Sequence, residues 1–325
     1  MRIMFYGSCF PPTPYGASRY FDNLSRALAR RGHEVVVVTS RAPGLADREE
    51  RDGIRICRIG PAAAMRTAAA AATAHRIAQD ARTELVQGVE YLGECAALLR
   101  RTARPPVCIK AITSISLRAL RRSMAIYPWQ RAAVMLACLR ARRQWRDELF
   151  SISQADLLFT ATHRVLAEFE KQGTPLPTIR GVVPNPVDIP ENWENTEAAT
   201  PTLLYVGRLD FGKGVGSLPA IMNAVWGQAP DARLILAGGD TYARGIGSIQ
   251  RWLSHRFGDR LSRVSFPGEL DKEAVEECYR RAWVVVVPSR WDSCSNVTLE
   301  AMARAKPVVV SPHGGMSELV EGTGA

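Results

Sequence analysis

Short apolar runs, rich in β-branched residues, recur along this chain and alternate with longer stretches whose apolar positions fall every three or four residues. The runs that read as strands in the first half are 3–6, 35–38, 54–59, 85–89, 107–112, 157–160 and 181–183. In the second half they are 202–206, 233–237, 264–266, 283–287 and 308–310. Strands alternating with helical segments predict an α/β protein with parallel sheets. After the first run comes a loop holding Pro11, Pro12, Pro14 and Gly16, and a helix opens near Ser18. Leu24 and Leu28 fit its buried face, and Gly32 is placed to stop it. The alanine-rich stretch 62–81 is interrupted by Arg66, His75, Arg76 and Asp80 and reads as a solvated helix.

Between Asn185 and Pro201 the pattern breaks. Pro186, Pro190, Glu191, Asn192, Glu194, Asn195 and Glu197 make a polar linker punctuated by proline. The division predicted there is 1–188 and 189–325, two Rossmann-like domains facing each other across a cleft. In such folds ligands bind beyond the carboxyl ends of the strands.

Composition narrows the class. A length of 325 residues with 46% hydrophobic and 23% charged content suits two globular domains, each with its own core. No apolar run approaches the ~18 residues of a membrane-spanning helix. The segment 1–7 reads as a strand and is too short for a secretory leader. The seven cysteines are an odd number with no C-x-x-C pair. That pattern argues for free thiols in a cytoplasmic protein and against a disulfide scaffold or a zinc site.

The formal charge of +10 predicts affinity for anions of some kind. Eight arginines and no acid fall between Leu117 and Arg146, interleaved with Trp129, Trp145 and aliphatic residues. The segment 117–146 could grip an acidic glycan or a lipid diphosphate, and two further readings stand for it. One is peripheral contact with an anionic membrane surface at its inner face; the other is an ordinary pair of arginine-rich helices. Nucleic acid is not expected as a partner, because neither an aromatic sheet face nor a recognition helix is evident.

The candidate chemistry lies in the second half. The strand pattern Val284 to Val287 ends at Pro288-Ser289, a polar loop follows, and a helical pattern starts near Ser295. Asp292 and Glu300 bracket that loop. Upstream, 202–206 runs into Gly207-Arg208-Leu209-Asp210-Phe211-Gly212-Lys213-Gly214. Glycine permits close backbone approach, and Arg208 and Lys213 supply a planar two-pronged cation and a compact one. An anion fits such a place; so does a solvated turn with surface charges.

Taken together, G-R-L-D-x-x-K-G, P-S-x-x-D-x7-E-A-M-A and P-V-V-V-S-x-x-G-G-x-x-E resemble the donor half of the family 4 glycosyltransferases, retaining enzymes of the GT-B fold. The segment from Met1 to Thr39, with P-P-x-P-x-G-A and L-x-x-A-L-x-x-R-G-H-E-V-V-V-V-T, and the junction Val183-Pro184-Asn185-Pro186-Val187-Asp188 are similar to the same family. The resemblance implies transfer of a sugar from a nucleoside-diphosphate sugar to a glycan, lipid-linked or small-molecule acceptor. It implies Arg208 and Lys213 on the diphosphate, Glu300 on the ribose hydroxyls and Asp292 on the donor sugar. Gly16 and Gly207 would let backbone approach the donor, and the N–H groups of Cys294, Ser295, Asn296 and Val297 would add hydrogen bonds. No cofactor and no metal are expected.

Three departures from the family accompany this. Asp292 stands where glutamate is usual and reaches ~1.5 Å less far. The family's histidine after the strand 107–112 is missing, and Thr113 or Ser114 stands there instead. The family continues past Ala325 through a strand and several helices, so the second domain is expected to be incomplete. A catalytically weak GT-B scaffold that binds nucleotide or glycan is the alternative, and a sugar-nucleotide epimerase of related fold is a further one.

Overall fold

The computed structural model describes residues 1–12, 16–112 and 142–323. Most of the arginine-rich segment, 117–141, lies outside them, as do Thr113 and Ser114, and with them the membrane-surface expectation. The chain divides into two compact units, Met1–Pro186 and Val187–Ala325.

In the first unit the strands are β1 (Arg2–Tyr6), β2 (Glu34–Thr39), β3 (Arg48–Arg51), β4 (Ile54–Arg58), β5 (Leu85–Val89), β6 (Val107–Ala111), β7 (Leu157–Thr160) and β8 (Arg180–Val182). They form one sheet in the order β3-β4-β2-β1-β5-β6-β7-β8. Every pairing is parallel except β3 with β4. Val35, Val37, Ile54 and Ile56 share a buried cluster with Ile3, Phe5 and Phe21. The Phe5 and Phe21 rings meet edge to face at 5.3 Å. Each such side chain contributes roughly 1.5–3 kcal/mol through burial. Helix Gly16–Arg30 packs Leu24 and Leu28 on this cluster. The chain then turns at Gly32, whose φ of +81° and N–H bond to the Ala29 carbonyl (2.9 Å) close the helix.

Two expectations are corrected here. The alanine-rich stretch is not a solvated helix. Helix Ala68–Asp80 buries Ala71, Ala74, His75 and Ala78, because small side chains let it lie close to its neighbours. Strand β3, Arg-Glu-Glu-Arg, was not expected at all. It pairs along its backbone at the sheet edge, Glu49 accepts from Arg58 of β4 at 3.0 Å, and its side chains stay largely exposed.

The second unit has β9 (Thr202–Val206), β10 (Arg233–Ala237), a two-residue pair β11 (Tyr242–Ala243) and β12 (Gly247–Ser248), then β13 (Val264–Gly268), β14 (Val284–Val287) and β15 (Val308–Val310). Its main sheet is all parallel in the order β13-β10-β9-β14-β15. Leu203 and Tyr205 face a core that includes Leu218, Met222, Trp226, Leu253 and Phe257, from helices Leu218–Gln228 and Ile249–Phe257. Leu204 faces the opposite core, with Tyr279, Ala301 and Met316 from helices Lys272–Arg281, Asn296–Met302 and Met316–Val320. A strand covered on both faces reads as an unbroken apolar run, which is why Leu203 to Val206 and Val284 to Val287 stand out in the sequence.

Candidate functional site

The sheet order of the second unit reverses direction at β9. From there the chain crosses to β10 on one side, and β14 later enters on the other. The loops leaving β9 and β14 therefore emerge side by side at the strands' carboxyl ends. In open parallel sheets this is where ligands bind.

The loop after β9 is tightly determined. Tyr205, its hydroxyl pushed upward in pKa chiefly by burial, donates to the Arg208 carbonyl at 2.6 Å. Leu209 N–H reaches the Gly239 carbonyl at 2.9 Å. Asp210 caps the short turn Phe211–Lys213, its Oδ1 accepting from the Lys213 N–H at 2.9 Å. Its Oδ2 accepts from Arg208 Nη2 at 3.3 Å. Gly214 follows with φ +78°. A Cβ there would sit 1.7 Å from the Pro288 carbonyl oxygen, so only glycine lets this loop touch the one after β14. Arg290 N–H then bonds the Gly212 carbonyl at 3.0 Å.

The loop after β14 carries Asp292. Its Oδ2 accepts from Lys213 Nζ at 2.7 Å and its Oδ1 from the Cys294 N–H at 3.3 Å. Its own carbonyl accepts from the Gly315 N–H at 2.8 Å. Gly314, φ +77°, gives up its side chain to that approach, since a Cβ would lie 2.1 Å from the Asp292 carbonyl oxygen. Ser295 then caps the helix, accepting from the Thr298 N–H at 3.2 Å. Asn296 and Val297 form its first turn, and Glu300 lies one turn further on. Tyr279 O–H donates to Glu300 Oε2 at 3.0 Å. Arg304, fixed by Glu276 through Nε at 2.7 Å and stacked over the Tyr279 ring at 4.9 Å, donates Nη1 to the Glu300 carbonyl at 2.8 Å.

Of the residues singled out in the sequence, Lys213 and Asp292 meet directly across 79 positions. Arg208 and Gly207 lie on the turn that holds Lys213. Cys294, Ser295, Asn296, Val297 and Glu300 follow Asp292 on the loop and its helix. Gly16 belongs to the other unit, where it opens helix Gly16–Arg30. Sequence reasoning gave no role to Asp210 or Tyr279, and it treated Gly214 and Gly314 only as glycines of the motifs. Asp210 stood inside a recognised motif and is the conventional type for a cap; nothing in the sequence marked Tyr279. Among the described residues no group of three or more His, Cys, Asp or Glu is gathered to hold a metal ion. No described helix is long and apolar enough to cross a membrane.

Chemically, the two joined loops present a planar and a compact cation suited to phosphate oxygens. A carboxylate further along the same helix can accept from two adjacent hydroxyls.

Comparison with known proteins agrees with that chemistry. The family described as glycosyl transferase 4-like domain matches residues 15–186, and glycosyl transferases group 1 matches 200–325. Glycogen synthase of Mycobacterium tuberculosis is 26% identical over 363 residues, spanning 98% of this chain and 80% of that one. A glycosyltransferase of Methanocaldococcus jannaschii, itself uncharacterized, is 34% identical over 122 residues, 37% of this chain and 29% of its own length. Among solved structures, sucrose-phosphate synthase from Thermosynechococcus elongatus superposes with a TM-score of 0.75 at 21% identity, over 98% of this chain and 83% of that one. HepE of Anabaena in complex with UDP-glucose gives 0.71 at 19%, over 99% and 83%.

Proposed function

Because the chain belongs to the family 4 glycosyltransferases, whose fold is GT-B, we propose that it moves a sugar from a nucleoside-diphosphate sugar to a glycan, lipid-linked or small-molecule acceptor with retention of configuration. The observation that carries this reading is the joining of the Arg208–Lys213 turn to the Asp292 loop at the sheet's reversal point. That the Anabaena neighbour was solved with UDP and with UDP-glucose supports a nucleoside diphosphate as the leaving group.

In the proposed mechanism the glycosidic bond to the β-phosphate breaks and its electron pair departs with the diphosphate. Arg208 and Lys213 stabilise the charge that develops there. Their turn is already fixed by Asp210 and Tyr205, so little reorganisation accompanies the reaction. Glu300, oriented by Tyr279, accepts from the ribose hydroxyls. Asp292, paired with Lys213 of the same turn, is placed to meet the donor sugar. The acceptor hydroxyl attacks from the face the diphosphate leaves and gives its proton to the departing phosphate oxygen, which preserves the anomeric configuration. A peripheral, inner-membrane-face setting through 117–146 belongs to this reading where the acceptor is lipid-linked.

Measuring UDP and GDP release from a panel of sugar donors and acceptors tests it. Arg208→Ala should lower kcat about 10²- to 10³-fold, the usual loss for one preorganised partner of the developing charge. Proton NMR of the fresh product should show the donor's anomeric configuration. Donor binding with no transfer to any acceptor would turn the assignment toward a non-catalytic scaffold.

A further inference from the structure

Each cation of the turn already has a resident acid. Lys213 Nζ lies 2.7 Å from Asp292 Oδ2, and Arg208 Nη2 lies 3.3 Å from Asp210 Oδ2. The two positive and two negative charges cancel locally. The pairs differ in kind. Asp210 also caps its own turn, so its position follows from the local backbone. Asp292 comes from a different loop, and its backbone is clamped independently by Gly314 and Gly315. It is therefore held where it meets Lys213 whatever Lys213 does. The Lys213 side chain remains 39% exposed, so an arriving anion can reach its ammonium, whereas Asp292 is 15% exposed and cannot swing far.

We infer that Asp292, beyond its place beside the donor sugar, competes with the nucleoside diphosphate for Lys213 and so speeds product release. The inference rests on the donor-binding reading above. When the glycosidic bond breaks, the leaving diphosphate keeps the bonding pair and gains negative charge. It then binds Lys213 more strongly than the intact donor did. A fixed carboxylate beside the ammonium opposes that gain, offering Lys213 a second partner as the product departs. A family glutamate one methylene longer has more freedom at the same place; the aspartate with a clamped backbone has little.

The test is calorimetric titration of UDP, GDP and inorganic pyrophosphate into the full chain, its Asp292→Asn variant, Lys213→Met, and the double variant. Asparagine keeps an acceptor for the Cys294 N–H and removes the charge. The expected result is diphosphate binding about fivefold tighter in Asp292→Asn, the scale of one partly exposed ion pair. The gain should vanish in the Lys213→Met background. Product inhibition of turnover should strengthen by a similar factor while kcat falls, and Asp292→Glu should keep diphosphate affinity within about twofold of the parent. Asp292→Ser reads the same coupling should the asparagine form melt early. Unchanged or weaker binding in the charge-removed variants overturns the inference while leaving the donor site intact. A gain that persists without Lys213 overturns it too. If the parent chain binds none of the three probes, the donor-site reading fails and takes this one with it.

Discussion

Gly214 is the point at which the two site loops touch, and alanine there is the sharpest single perturbation of the account. Its φ of +78° lies in the left-handed region, which costs an L-residue about 1–2 kcal/mol. The added Cβ would lie 1.7 Å from the Pro288 carbonyl oxygen, against the 3.0 Å that real Cβ atoms respect. Backbone must therefore separate by at least the difference, 1.3 Å. A matching shift would stretch the Lys213–Asp292 pair from 2.7 Å to 4.0 Å, the outer limit of an ion pair. Misplacement by about 1 Å at a catalytic site can cost 10²-fold. The expected outcome for Gly214→Ala is a fall of about 10² in kcat/KM, with the melting transition lowered by a few degrees. Gly32→Ala is the matched control: the same backbone region, φ +81°, with nothing within 4 Å of the new methyl. It should lower stability to a similar degree or less and leave turnover unchanged. A Gly214→Ala protein with parental kinetics would refute the claim that loop contact sets the geometry of the site.

Tyr279→Phe removes the hydroxyl that orients Glu300 and should raise the donor KM about fivefold with little change in kcat, since one neutral hydrogen bond is worth roughly 1 kcal/mol; steady-state kinetics at saturating acceptor reads it. Glu94 is buried beside Ser8, whose N–H it accepts at 2.8 Å, and burial holds its carboxyl above the ordinary value of 4.5. The folded state thus keeps a proton that the unfolded chain releases, so Glu94's contribution to stability is fully present below 4.5 and is lost as pH rises through the folded value. Glu94→Gln, which can still satisfy Ser8, should flatten that slope in thermal melts between pH 5 and 7.5; an unaltered slope would contradict the assignment. Burial pushes the Cys9 and Cys108 thiols up to about 12. Both should resist alkylation at pH 8 in the native protein and react on unfolding, as peptide mapping would show.

The α/β class was legible because strands buried on both faces leave unbroken apolar runs, as Val284 to Val287 does. Strand β3 was not, because an edge strand held by backbone pairing on one side needs no apolar residue. The alanines of 68–80 misled for a related reason: a small side chain is as suited to close helix packing as to a solvated surface, and only the neighbours decide. At the site, Arg208, Lys213, Asp292 and Glu300 could be picked out by type and spacing. Their partners could not. The Lys213–Asp292 contact depends on β9 and β14 lying side by side, a long-range fact that no local pattern encodes. Tyr279 reaches Glu300 from a helix 21 positions upstream, and its sequence surroundings only say that it is a buried aromatic.

The central claim is that the β9 and β14 loops together hold a nucleoside diphosphate. Calorimetric titration of UDP and GDP into the chain and into its Lys213→Ala and Glu300→Ala variants tests it most directly. The account predicts saturable binding of one of the two nucleotides, weakened at least about tenfold by either substitution. Equal affinity in all three proteins would contradict it, as would no binding of either nucleotide to the parent.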